Sequence, residues 1–168
     1  STFAPDAPGT RIGFDAPASL SASGVIGFAG RRPVSMLRVI FPENTEETAL
    51  WEVRACLNEH RIETFHSACG VEGLCLLLSS GAEADALHAA AEQLRERFPG
   101  AKVKLRENLA VLLALCRSTK DIPKLSAAIE ASGAPVHHLV QTPPGAMFCV
   151  NDSQYETALR AAYALAFG

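Results

Sequence analysis

Three short polar stretches carry the side chains best placed to do chemistry: Glu43-Asn44-Thr45, Ser118-Thr119-Lys120-Asp121, and His137-His138 followed by Gln141 and Thr142. The first two each follow an apolar run and precede a helical pattern, so each marks a strand-to-helix turn. Unpaired N–H groups at a helix N-terminus hold carboxylates and phosphates, which makes both turns candidate sites for an acidic ligand group. Ordinary capping by Asn44 or Thr45 is the competing account of the first turn, and a solvated Lys120 is the competing account of the second.

His137 and His138 are neighbours on an extended stretch, so their side chains point to opposite faces and cannot share a metal. His60 and His66 add no Glu-x-x-His or His-x-x-x-His spacing, and Cys69 and Cys75 are not spaced as in a zinc knuckle, so no metal site is expected. Whichever of His137 and His138 faces a domain interface is a candidate ligand contact or pH-sensitive group. Gln141 and Thr142 follow as further polar contacts. No nucleophile, base and acid can be assembled into a set, so no catalytic residue is assigned. Gly24 to Gly30 is glycine-rich but lacks the Gly-Lys-Ser/Thr ending of a phosphate loop, and it reads as a linker with a short strand. Trp51 falls off the apolar stripe of its helix, as a packing residue or an interface anchor.

The bulk numbers narrow the setting. The chain has 168 residues, 48% of them hydrophobic, and a net charge of -3, which gives no basic footprint for nucleic acid. No apolar run approaches the ~18 residues of a membrane helix, and the first residues lack the charged and apolar regions of a signal peptide. The 5 cysteines are odd in number, and four of them (Cys56, Cys75, Cys116 and Cys149) lie in apolar strand or helix patterns. Buried free thiols in a reducing cytoplasm are the simplest reading.

The elements that must position these residues follow from periodicity. Val34 to Phe41 reads as a strand. Asn44 and Glu47 resemble a capping box opening a helix to about His60, with Leu50, Val53 and Leu57 inward. Strands follow at Ile62 to Ala68 and Leu74 to Leu78. A helix then buries Leu87, Ala90, Ala91, Leu94 and Phe98 and stops at Pro99-Gly100, and Ala101 to Leu105 alternates like a half-exposed strand. Leu109 to Cys116 starts the series again. A helix on Ile122, Leu125 and Ile129 comes next, then strands at Pro135 to Gln141 and Ala146 to Val150, and a last helix through Tyr155, Leu159, Ala162 and Ala166. The two series begin at Val34 and Leu109. Each is a β-α-β-β-α unit, and only the first shows a fourth strand.

The expected fold class is therefore α+β: two tandem ferredoxin-like βαββαβ units, antiparallel sheets with helices on one face. The expected division is an N-terminal linker over 1–33, a first unit over 34–107 and a second over 108–168. Gly9 to Phe14 is the strand candidate expected to complete the second unit. Sheets with one bare face and open edges invite self-association, so a homodimer is expected.

Phe3-Ala4-Pro5-Asp6-Ala7-Pro8-Gly9-Thr10-Arg11-Ile12 resembles the segment that leads from the kinase domain of aspartate kinases into their regulatory part. The tandem units look like the two ACT domains that follow there, and Ala158 to Phe167 looks like that family's closing helix. The resemblance implies a non-catalytic regulatory region. It would bind an amino-acid effector of the lysine or threonine class at ACT interfaces. Through a kinase domain of the same chain it would control aspartate phosphorylation in lysine, threonine and methionine biosynthesis. No cofactor is implied for these residues; ATP and Mg would belong to the kinase domain. The effector contacts implied are Glu43, Asn44, Thr45, Ser118, Thr119, Lys120, Asp121, His137, Gln141 and Thr142. This chain departs from the family at three places. Phe41 to Glu46 has no glycine turn, Cys116 to Lys120 replaces Gly-x-Gly-Met, and Thr142-Pro143-Pro144 replaces a Ser-Glu pair. Weaker or altered effector binding is the consequence, with a dimerisation or interaction module as the alternative function.

Overall fold

A computed structural model describes residues 24–42, 48–70, 73–79, 81, 83–142 and 145–168. The elements run β1 Val25–Ile40, α1 Ala49–Glu59, β2 Thr64–Gly70, β3 Gly73–Ser79, α2 Ala84–Arg97, β4 Lys102–Cys116, α3 Ile122–Ala131, β5 His138–Thr142, β6 Gly145–Asn151 and α4 Tyr155–Phe167. All six strands join one sheet in the order β2-β3-β1-β4-β6-β5, and every neighbouring pair is antiparallel. This is an α+β fold, consistent with tandem ferredoxin-like units.

The two longest strands hold the sheet together. The later part of β1 pairs with β3 and with the start of β4, while its early part, Val25 to Arg31, pairs with Val111 to Cys116 at the end of β4. Val25 to Gly30, expected as a linker with a short strand, therefore belongs wholly to β1. It takes the place beside Leu109 to Cys116 that a fourth strand of the second series would fill. The expected strand at Gly9 to Phe14 lies outside the described residues. The sequence divisions at 33/34 and 107/108 fall inside β1 and β4. Two features hid the continuity. Gly24, Gly27 and Gly30 remove side chains from the alternating pattern, and the register shifts between Arg31 and Val34 and between Val34 and Met36 interrupt it. Arg32 fastens this part of β1 to the turn before α4: its guanidinium donates to both Asp152 carboxylate oxygens, at 2.8 and 3.1 Å.

The same shifts keep all four helices on one face. On β4, Val103 packs with α1 and α2, whereas Ala110, Leu112 and Ala114 pack with α3 and α4. Odd and even positions have exchanged faces. The change of parity comes at the bulge around Asn108, which has a left-handed φ of 55°, as a residue inserted in a strand often does. The first helix-side core is built on Leu37, Val39, Val53, Leu57, Leu76 and Leu94, the second on Leu112, Ile122, Leu125, Ile129, Phe148 and Ala162. Each large side chain so buried contributes roughly 1.5–3 kcal/mol. Helix α1 runs from Ala49 with Thr48 in the cap position; the Asn44–Glu47 capping box expected from sequence lies outside the described residues.

The opposite face carries no helix among the described residues, yet Val34, Leu77, Leu109, Val111 and Cys149 on it are at most 4% exposed. A bare sheet face stays dry only if something covers it. Here the sheet curls so that its two ends approach across that face. His138 on β5 lies within electrostatic reach of His66 on β2, although these strands are the two edges of the strand order.

Candidate functional site

Where the curled ends meet, a cavity of about 460 Å³ opens, lined by residues of β1, β2 and β3 from one side and by His138 of β5 from the other. Its size suits a small metabolite. Arg38, Ala68, Cys69, Gly70, Gly73 and Cys75 form the first wall. Strand pairing explains why these residues meet: Arg38 stands opposite Cys75, Cys75 opposite Ala68, and Gly70 opposite Gly73. Gly73 is required there, because a Cβ would lie 2.1 Å from the Val39 carbonyl oxygen. Ile40, where β1 ends, also lines the cavity; the expected contacts Glu43, Asn44 and Thr45 lie outside the described residues.

His138 is the histidine that faces the seam. Burial lowers its pKa, and the nearby His66 and Arg38 lower it further. Burial also lowers the pKa of His66. The Nε2 atoms of both are buried without a hydrogen-bond partner. His137, just before β5, stands in a network of its own. Its Nδ1 meets Arg106 Nη1 at 2.5 Å, and its Nε2 meets Asn151 Oδ1 at 2.7 Å. Arginine is always a donor, so Nδ1 accepts and Nε2–H donates. Asn151 continues the network to Gln154, which donates to the Gly133 carbonyl at 2.6 Å. His137 thus joins β4, β5 and the turn before α4, and its ring is taken up by that task.

The remaining candidates gather at the far end of the second half. Leu115 pairs with Gly145, and Gly145 with Thr142, so the turn after β4 and the Gln141-Thr142 end of β5 share one end of the sheet. His137 lies five residues from Thr142, or about 17 Å along a strand. Within the turn, Ser118 Oγ accepts from the Lys120 N–H at 3.3 Å and Asp121 pairs with Lys124 Nζ at 3.2 Å. Gln141 is exposed and Thr142 half-buried.

Among the described residues no three His, Cys, Asp or Glu side chains come together as a metal site, and no helix is long and apolar enough to cross a membrane. Cys56, Cys75, Cys116 and Cys149 are buried free thiols, and Cys69 is exposed. Burial, with the Cys75 thiol beside it, pushes Cys149 up to about 11, which leaves it inert as a nucleophile.

Arg38 was not singled out in the sequence as a candidate, and Cys69 and the β2–β3 glycines were read there only for metal spacing and as turn residues. The signal was there in part: Arg38 is one of only two polar residues in an otherwise apolar strand.

No protein-family model and no curated protein matches the sequence. Solved structures do match in shape. The aspartate kinase of Clostridium acetobutylicum superposes over 98% of this chain with a TM-score of 0.80 and 17% identity. This chain spans 39% of that kinase's length. The regulatory subunit of aspartate kinase from Thermus flavus matches over 84% of this chain and 98% of its own, with a TM-score of 0.70 and 20% identity. Aspartokinase III of E. coli, solved in complex with lysine and aspartate, matches over 86% of this chain and 34% of its own, at a TM-score of 0.68 and 15% identity. The fold is that of aspartate-kinase regulatory regions.

Proposed function

We propose that this chain is the regulatory region of an aspartate kinase-like protein, built from two ACT-like units and itself without catalytic residues. It would bind an amino-acid effector of the lysine or threonine class at the junction of the units and so control phosphorylation of aspartate in the cytoplasm. The observation that carries this reading is a cavity at the meeting of the two sheet ends, in a chain whose described residues have the fold of such regulatory regions. The units proposed are 34–107 and 108–168, the second completed by Val25 to Arg31 in place of Gly9 to Phe14. The effector contacts proposed are Glu43, Asn44 and Thr45, which follow β1 in the chain, and His138 across the seam, with Ser118 to Asp121, Gln141 and Thr142 at the corresponding end of the second half. Association into a homodimer, and with a kinase domain, belongs to the same proposal.

Calorimetric titration of the chain with lysine and with threonine tests it. Saturable binding of either, weakened by Asn44→Ala or His138→Ala, supports the effector reading. One observation favours the alternative of an interaction module: Trp51 is 68% and Tyr163 58% exposed, large apolar surfaces with no described cover. Absence of binding by either amino acid, together with a stable dimer in light scattering, would move the assignment there.

A further inference from the structure

A second groove, of about 570 Å³, lies between α1 and β2, and it shares no lining residue with the seam cavity. β2 ends the strand order, so no described strand covers its outer side. On α1, Val53 and Leu57 turn into the core. The stripe beside them carries Arg54 and Asn58, one helical turn apart, and both line the groove. On β2, Thr64 stands opposite Leu78 and Ser67 opposite Leu76. Leu76 and Leu78 belong to the core beneath α1 and α2, and residues paired across strands share a face, so Thr64 and Ser67 turn toward α1. Helix and strand thus bring a guanidinium, a carboxamide and two hydroxyls to one groove.

Arg54 is held in place there. Its Nη2 donates to Ser67 Oγ at 2.9 Å, and its guanidinium lies 6.0 Å from the ring of the exposed Trp51, at the reach of a cation–π contact. Fastening α1 to β2 is one task of this arrangement, but it does not account for the whole side chain. Nε is buried and finds no partner among the described residues, a cost that an apolar side chain at this position would not carry. Arginine has five N–H donors, and Ser67 takes one of them. Ser67 accepts that bond through Oγ and keeps its own hydrogen to donate. Glu63 also lines the groove, with its carboxylate 4.0 Å from Arg31 Nη2.

We infer that the α1–β2 groove is a second ligand site, for an anionic oxygen group, a carboxylate or a phosphate, bound by the Arg54 guanidinium with the Ser67 and Thr64 hydroxyls and the Asn58 amide beside it. The planar fork of an arginine suits both groups. The inference goes beyond the effector reading of the seam and does not depend on it.

The test uses the 168-residue chain, titrated at constant ionic strength with inorganic phosphate and with succinate, with calorimetry and thermal unfolding as readouts. Arg54→Gln removes the guanidinium. Arg160→Gln is the control of equal charge, on an exposed residue of α4 whose ion pair is with Glu156. The expected result is saturable binding of phosphate or succinate by the wild type and by Arg160→Gln, with affinity lowered about tenfold or more in Arg54→Gln. That anion should raise the melting temperature of the wild type and leave that of Arg54→Gln unchanged. Ser67→Ala keeps the charge and removes the hydroxyl that holds it. It should lower the affinity about threefold or more, and it decides the matter if Arg54→Gln does not fold. Whichever of phosphate and succinate binds more tightly identifies the ligand group.

A residue pair kept only as a clamp would lower the melting temperature of both variants without changing anion binding, and that outcome overturns the inference. So would an equal loss of affinity in Arg160→Gln, or no binding of either anion by the wild type. Lysine and threonine, titrated in parallel, keep the two sites apart. Their binding without anion binding defeats the groove alone. Anion binding that depends on Arg54, with neither amino acid bound, upholds the groove and defeats the effector reading of the seam.

Discussion

The two halves of the sheet share a strand order and differ in what they place on the helix-free face. In each half the first strand of the series pairs with the third and with a long neighbour: Leu37 faces Leu76 and Leu105, and Leu112 faces Phe148 and Gly30. On the helix side both halves are apolar and fully buried. On the other side Arg38, Cys75 and Lys104 of the first half correspond to Leu113, Met147 and Ala29 of the second. The scaffold is therefore repeated while the surface over the seam is not. Packing needs only one chemistry, repeated; a binding surface needs a wall of one kind and a lid of another.

The sharpest way to break that comparison is at two glycines. Gly73 opens β3 and Gly145 opens β6, at matching places in the two halves. A Cβ at Gly73 would lie 2.1 Å from the Val39 carbonyl oxygen, and one at Gly145 would lie 1.8 Å from that of Ala114. Backbone atoms inside a sheet cannot step aside as a flexible side chain can. Gly73→Val and Gly145→Val should each destabilise the protein by about 4 kcal/mol or more, at the exceptional end for single substitutions. Equilibrium urea unfolding gives the values. If one site tolerates valine and the other does not, the halves are not equivalent in backbone geometry.

Next in size is the core. Phe148 and Leu76 occupy matching positions in the middle strands, each under 2% exposed. Phe148→Ala should cost about 3–5 kcal/mol and Leu76→Ala about 2–5 kcal/mol, according to how far each site collapses. A single unfolding transition in both variants would show that the halves unfold together, as the shared strands β1 and β4 require. Two transitions, with only one moved by each variant, would show the halves to be independent despite those strands.

Much of this was legible in the sequence. The order of strands and helices from Val34 onward, the inward stripes and the free buried thiols all follow from side-chain periodicity, because burial of one face per element is written directly into spacing. Less legible was anything that depends on pairing between distant strands. Nothing local distinguishes Val25 to Arg31 from a glycine-rich linker until the end of β4 is laid beside it. Nor does Lys102-Val103-Lys104 announce that Lys104 will stand opposite Arg38. Of the histidine pair, the sequence established that only one could face the seam, and the curl of the sheet selected His138. The glycines at 73 and 145 were visible as turn residues; their second role, allowing close strand approach, appears only with the carbonyl of the neighbouring strand in place.

The smallest expected effect concerns pH, and it separates the basic seam from the rest of the molecule. His138 and His66 both have pKa values below the ordinary histidine value of 6.5, chiefly because burial disfavours the charged ring. The unfolded chain therefore takes up protons before the folded one does as the pH falls. Stability from these groups is complete above about pH 6.5 and is lost as the pH drops through the lower, folded values. Wild type should show a falling urea midpoint from pH 7.5 to pH 5. His138→Gln keeps a polar side chain of similar reach but cannot charge, so its midpoint should fall less over the same range and match the wild type more closely at pH 7.5. Parallel pH curves for the two proteins would mean that His138 does not sense protons and that acid sensitivity arises elsewhere in the fold.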